Sequence, residues 1–257
     1  MSVTYDDIVN AQKAQGDVIR KTSLTFSDTF TQLTGSTVYL KNEFEQKTGS
    51  FKLRGAYYKI KTLSEEERKN GVVAASAGNH AQGVAYASAL EKINCTIVMP
   101  KNASPAKVAA TRGYGATVVL EGKNYDESWI KAQEIAKTTS ATIIHAFDDS
   151  QIIAAQGVMG LEIIEQLPDV DEIYVPIGGG GLAAGVLIAI KDKNPNVKVI
   201  GVESKSFPSM KNSLDSGKIQ TIDGGFTIAD GISVRTPGKQ TFEIIKDKID
   251  EIVLVDD

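Results

Sequence analysis

A single cysteine in 257 residues excludes an internal disulfide. Cys95 lies in the apolar run Cys95-Thr96-Ile97-Val98-Met99, which reads as a buried strand with its thiol in the core. Positive charge is not in excess either: 28 Lys and Arg face 32 Asp and Glu, a net charge of −4. Both signs are interspersed, so no basic stripe exists to neutralise a phosphate backbone, and nucleic acid is not expected as a partner. No window approaches the roughly 20 apolar residues of a membrane span. The amino-terminal run Met1-Ser2-Val3-Thr4-Tyr5-Asp6-Asp7 has neither a basic region nor a following apolar stretch, so no signal peptide is expected. A reducing, cytoplasmic setting follows from these absences. Repeats, low-complexity tracts and long linkers are lacking too, and 42% hydrophobic with 23% charged residues describes a chain able to bury a core.

What is present is a rhythm. After an opening helix that Thr4 caps, with Asp7 three residues on, short β-branched runs alternate with longer stretches of helical apolar spacing. The runs are Val38-Leu40, Val72-Ser76, Thr96-Met99, Thr117-Leu120, Thr142-Ile144, Ile173-Ile177 and Val197-Val202. Strands this short and apolar, separated by helices, imply an α/β fold of parallel sheets covered on both faces. Residues 71–144, with four strands and three intervening helices, are expected to close as a small lobe. Residues 1–70 and 145–257 are expected to form a larger one. A last apolar run, Ile252-Val253-Leu254-Val255, is followed only by Asp256 and Asp257, without the crossover helix a parallel sheet usually needs next, and this suggests a truncated chain.

In open α/β sheets, ligands bind beyond the carboxyl ends of strands, where helices begin with unpaired N–H groups. Three such junctions carry unusual chemistry. Gly178-Gly179-Gly180-Gly181-Leu182 follows an apolar strand and opens a helix, so its backbone can come close to an anion that the helix dipole favours. It is neither a Walker loop nor a spaced dinucleotide fingerprint, so a phosphate need not mean a nucleotide. Lys47-Thr48-Gly49-Ser50-Phe51-Lys52-Leu53-Arg54-Gly55-Ala56 places a lysine in the first turn of a helix expected to start near Ser50. There the positive end of the dipole lowers its pKa and raises the share of free amine that imine formation needs. Ser76-Ala77-Gly78-Asn79-His80-Ala81-Gln82-Gly83 again follows a strand and begins a helix, with polar groups able to receive a hydroxyl or a carboxylate.

Together, and in their order along the chain, with the lysine segment first, the Ser76 segment second and the glycine loop last, the three segments resemble the fold-type-II pyridoxal-phosphate enzymes of the threonine dehydratase and serine racemase family, which are two-lobed α/β proteins. Thr227-Ile228-Ala229-Asp230-Gly231 extends the resemblance toward the end of the chain. The resemblance implies that Lys52 carries the cofactor in imine linkage and that Phe51 packs beside it. It implies that Asn79 hydrogen-bonds the pyridine 3′-oxygen and that Gly178, Gly179, Gly180, Gly181 and Leu182 hold the phosphate. Ser76, Asn79 and the backbone around His80 would hold the carboxylate of a small amino-acid substrate. Neither His80 nor His145 needs an acid or base role: helix-start hydrogen bonding accounts for His80, and His145 reads as a core residue. The implied reaction removes the Cα proton to Lys52 and expels the β-hydroxyl. Its products are 2-oxobutanoate and ammonia from L-threonine, or pyruvate from L-serine.

Serine racemases of this family resemble Ser-Ser-Gly-Asn-His at the third junction, whereas Ala77 here brings a methyl that carries no proton, which favours dehydratase over racemase. Some relatives hold a divalent ion with a glutamate matching Glu203 and a carboxylate six residues on; Ser209 stands in that second place, so Glu203 is a weak metal candidate. Relatives continue for roughly another 60 to 80 residues, about one further βα layer, including a serine loop that meets the pyridine nitrogen. A homodimer or homotetramer is what the resemblance implies. Two other readings remain open: a non-catalytic fragment that binds pyridoxal phosphate, and a nucleotide-binding α/β module, which leaves Lys52 and Asn79 unexplained.

Overall fold

The computed structural model describes residues 3–257; Met1 and Ser2, the first two residues of the amino-terminal run, lie outside it. Helix α1 (Tyr5–Gln15) opens with a capping box in which Thr4 and Asp7 satisfy each other's backbone N–H groups. Strand β1 (Leu24–Phe26), helix α2 (Asp28–Thr34) and strand β2 (Tyr39–Lys41) form a small antiparallel unit. The run Val38-Leu40, expected in a parallel sheet, therefore belongs elsewhere: a seven-residue helix is too short to carry the chain across a sheet, so β2 folds back on β1.

Helices α3 (Lys52–Lys61) and α4 (Glu65–Asn70) lead into a four-stranded sheet. Its strands and helices alternate as β3 (Val72–Ala75), α5 (Asn79–Leu90), β4 (Cys95–Met99), α6 (Pro105–Gly113), β5 (Thr117–Leu120), α7 (Tyr125–Thr139) and β6 (Thr142–Ile143). All pairings are parallel, in the order β5-β4-β3-β6. The pleat sorts β3 to two cores: Val72 and Ala74 join the cluster beneath α3 and α5, while Val73 and Ala75 face Ala132 of α7. The first of these cores draws Leu53, Ala56, Tyr57 and Ile60 from α3, outside residues 71–144. Each of the larger side chains stabilises by about 1.5–3 kcal/mol on burial.

A second unit follows with α8 (Ser150–Gln166), β7 (Glu172–Pro176), α9 (Gly181–Lys193), β8 (Lys198–Ser204), α10 (Ser209–Ser216), α11 (Lys239–Lys248) and β9 (Glu251–Val255). Its sheet is parallel in the order β7-β8-β9. One face packs on α8 and α9, which cross so closely that a Cβ on Gly185 would meet the Ile153 carbonyl and the Gly157 nitrogen. The expectation of two covered faces fails at β7: Ile173 and Val175 point inward, but Glu172, Tyr174 and Pro176 face solvent, with Tyr174 60% exposed.

The seam between the two sheets holds a buried ion cluster. Arg54 is fully buried on α3 and donates to Glu43 through Nε and Nη2 at 2.8 and 2.7 Å, and to Glu162 of α8 through Nη1 and Nη2 at 2.7 and 2.9 Å. Lys41 completes the set, donating to Glu162 at 2.6 Å. Two cations and two carboxylates balance, which keeps the desolvation cost of each charge offset by its neighbours. Replacing Arg54 by leucine is expected to cost about 3–5 kcal/mol, because two carboxylates, Glu43 and Glu162, would be left at the buried cluster with Lys41 as its one remaining cation. Urea unfolding of the apoprotein reads this directly, and a loss below about 1 kcal/mol would contradict the assignment.

Candidate active site

The lysine junction begins later than its sequence suggests. Gly49 takes φ +75° and donates to Gln46 O, turning the chain through residues 48–51 before α3 starts at Lys52 rather than near Ser50. Lys52 is thus the first helical residue, with Phe51 as the capping position. Its Nζ donates to Ala146 O at 2.9 Å and lies 5.2 Å from the Phe51 ring centroid. No carboxylate pairs with it among the described residues, and burial lowers its pKa from 10.5 to about 8. Desolvation by burial is the cause of the shift, in place of the helix dipole from which the sequence derives it. Close by in the chain, Thr48 Oγ1 and Ser50 Oγ are buried without a protein partner.

The third junction meets the lysine through a glycine. A Cβ on Gly83 would lie 3.2 Å from Leu53 N and Lys52 C, so its absence lets α5 pack on the backbone at the start of α3. At the other end of the motif, Ser76 Oγ accepts from Gly78 N at 3.2 Å, and Asn79 is exposed with its amide free of protein partners among the described residues. The N–H groups of Asn79, His80 and Ala81 likewise have no protein acceptor among the described residues, as expected for a first helical turn. They offer donors to an anion.

The two histidines are accounted for by other contacts. His80 is buried, and its Nε2–H donates to Ile144 O at 2.9 Å, tying α5 to the end of β6 rather than to its own helix start. Burial, with Lys52 nearby, lowers its pKa to about 3. His145 Nδ1 accepts from Phe147 N at 3.2 Å and Asp148 N at 2.9 Å, while its ring meets Trp129 and Phe147 edge-on. Burial lowers its pKa as well.

The glycine junction runs from the end of β7 into α9. Gly180 adopts φ +94°, and a Cβ on Gly179 would collide with the Phe147 ring. None of the N–H groups from Gly178 to Leu182 donates to a protein acceptor among the described residues. A buried loop with several free donors and no room for side chains suits a multiply charged oxyanion. Together with a free-amine lysine and orphaned hydroxyls, these residues fit an aldehyde that carries a phosphate.

Glu203 lies one residue before the end of β8, and its carboxylate accepts from Met210 N at 2.9 Å and Lys211 N at 2.8 Å, capping α10. Burial pushes its pKa up to about 7. No cluster of three or more His, Cys, Asp and Glu side chains with metal-binding geometry occurs among the described residues. Cys95 is buried with its thiol pushed up to about 12, in the core position its strand implies.

Sequence reasoning missed three participants. Ala146 contributes only a carbonyl, which no side-chain pattern announces. Asp148 accepts from Lys239 N, Gln240 N and Thr241 N at 2.9, 2.8 and 3.2 Å, capping α11 from 91–93 residues away. Thr241 donates to Gly179 O at 2.6 Å. Asp149 caps α8 locally, but nothing in the neighbouring sequence points Asp148 to a helix so far along the chain. Lys107 and Asp230 pair at 2.6 Å, and Arg235 and Asp126 at 3.2 Å, linking helices of the four-stranded sheet to the segment after α10. The His80 assignment is open to a direct check. Its imidazole resonances are expected to stay at neutral-form shifts from pH 8 down to pH 5, and a midpoint near 6.5 would contradict the buried donor.

Comparison with known proteins agrees with this geometry. Residues 16–257 match the family model described as pyridoxal-phosphate dependent enzyme. The L-threonine ammonia-lyase of Thermotoga maritima is 52% identical over 255 residues, which are 99% of this chain; the chain spans 64% of that relative's length. The processed form of threonine deaminase isoform 2 from Solanum lycopersicum superposes with a TM-score of 0.94 at 40% identity, covering 98% of this chain and 74% of that one. Serine racemase from Dictyostelium discoideum superposes with a TM-score of 0.92 at 41% identity, covering 100% of this chain and 82% of that one. The fold is that of the fold-type-II enzymes, the cofactor is pyridoxal phosphate, and the chain belongs to the pyridoxal-phosphate dependent enzyme family.

Proposed function

We propose that this chain is the cofactor-binding, catalytic part of an ammonia-lyase that converts L-threonine to 2-oxobutanoate and ammonia, and L-serine to pyruvate and ammonia. The observation that carries the reading is Lys52: the desolvated amine of a partly buried side chain, with a pKa of about 8, held by Ala146 O at the start of α3. At pH 7 about a tenth of such an amine is unprotonated, against less than about a thousandth for an ordinary lysine. Lys52 is therefore equipped both to hold the cofactor's aldehyde and, once released by substrate, to accept the Cα proton.

When bound, pyridoxal phosphate supplies an electron sink for the charge left at Cα. The chain supplies the rest. Gly178, Gly179, Gly180, Gly181 and Leu182 would hold the phosphate through free N–H groups, with Phe51 beside the ring and Asn79 toward its 3′-oxygen. Ser76, Asn79 and the N–H groups of His80 and Ala81 orient the substrate carboxylate, while the His80 ring, neutral and bonded to Ile144 O, holds α5 in place. Ala77 presents no proton carrier at the third junction, which favours elimination over racemisation. We assign residues 71–144 to a small lobe and 1–70 with 145–257 to a large one, with α3 at their seam.

The cofactor-loaded protein, given L-threonine, is expected to release 2-oxobutanoate and ammonia in equal amounts, and Lys52→Ala is expected to reduce this by roughly 10³-fold or more. Undiminished turnover in Lys52→Ala would contradict the reading. Cofactor absorbance without ketoacid release would assign the chain to a non-catalytic, cofactor-binding role, and accumulation of D-serine from L-serine would favour the racemase.

A further inference from the structure

The glycine loop does not set its own donor directions. The Gly179 carbonyl is held from outside the loop, by Thr241 Oγ1 at 2.6 Å and Gly238 N at 3.2 Å, both at the start of α11. Thr241 is fully buried. Its single hydroxyl proton has a second acceptor in Gly238 O at 3.2 Å, and the shorter bond goes to Gly179. A trans peptide unit is planar, with its C=O and N–H pointing in opposite directions. Drawing the Gly179 carbonyl toward α11 therefore turns the Gly180 N–H, which belongs to the same peptide unit, toward the open side of the loop. The contact is direct: a Cβ on Gly180 would lie 2.9 Å from both Thr241 Cβ and Oγ1.

The place of Thr241 is fixed in turn by Asp148, whose carboxylate accepts from three successive N–H groups at the start of α11, including that of Thr241. A Cβ on Gly238 would collide with the same carboxylate, so glycine is required for this approach. Asp148 follows Phe147, whose ring lies against Gly179 and whose carbonyl lies against Gly181, and it stands two residues from Ala146, the acceptor for Lys52. One carboxylate thus connects the segment that holds the lysine to the helix that orients the phosphate loop.

We propose that Thr241 is a positioning residue for the cofactor phosphate: its hydroxyl, placed by the Asp148 cap on α11, fixes the peptide unit that aims the Gly180 N–H at a phosphate oxygen. This rests on the reading that the loop binds pyridoxal phosphate and Lys52 its aldehyde. It assigns Thr241 no part in proton transfer.

The test compares two aldehydes that differ only in the phosphate. The apoprotein is titrated with pyridoxal phosphate and with pyridoxal, and the near-visible absorbance band that depends on Lys52 is followed. Thr241→Val is expected to weaken pyridoxal phosphate binding roughly 10-fold or more, the scale of one charge-assisted hydrogen bond, and to leave pyridoxal binding unchanged. Thr241→Ser, which keeps the hydroxyl, is expected to restore the difference. Equal weakening of both ligands would overturn the proposal by showing a general structural role, and so would unchanged binding of both. Should Thr241→Val not fold, Thr241→Ala carries the same expectation, because it removes the same hydroxyl without adding a methyl. A wild-type protein that forms no Lys52-dependent band with pyridoxal phosphate defeats the underlying cofactor reading itself. A normal band with an unselective Thr241→Val defeats only the positioning role.

Discussion

The arrangement depends on one interaction, the four-bond embrace of the Arg54 guanidinium by Glu43 and Glu162. It ties α3 to α8 on one side and to the turn after β2 on the other. Arginine suits this place because its planar fork meets two carboxylates at once, which a lysine ammonium does not. Buried ion clusters contribute little net stability, but they penalise every arrangement that leaves a charge unpaired. The cluster therefore acts mainly by specifying where α3 begins and how it is rotated.

That placement explains why two cations, two residues apart on one helix, behave in opposite ways. Arg54 is buried among carboxylates, and its charge is held more firmly than usual. Lys52 is partly buried, its amine desolvated beside a carbonyl and an aromatic ring but no carboxylate, and its charge is lost more readily. The difference comes from what each side chain meets, since both belong to the same first turn and feel the same helix end. A reactive amine beside a fully paired guanidinium is a division of labour in which one residue fixes the helix and the other is left available.

The alternation of strands and helices was legible because parallel strands buried on both faces must be short and apolar, and Val72, Val98 and Val118 lie where that pattern puts them. The β1–β2 unit was not, since Leu24–Phe26 is three residues long and gains its pairing only from β2. At the site, the residue types that carry chemistry announced themselves through glycines and a lysine at strand-to-helix junctions. Their supports did not. Ala146 acts through its backbone, and Thr241 and Asp148 act across 62 and 91–93 residues of chain, where local pattern carries no information. The direction of the Lys52 shift was legible but its cause was not, because a dipole can be inferred from position in a helix whereas burial requires the neighbours.

The central claim is that burial without a counter-charge makes Lys52 the reactive amine. Apoprotein exposed briefly to pyridoxal phosphate at a series of pH values, then reduced with borohydride and digested, reports by mass spectrometry which lysine was labelled and how fast. The account predicts label on the peptide carrying Lys52, with a rate that rises to half its maximum near pH 8. Label spread over surface lysines, or a rate at Lys52 still climbing above about pH 10 as for an ordinary amine, would contradict it.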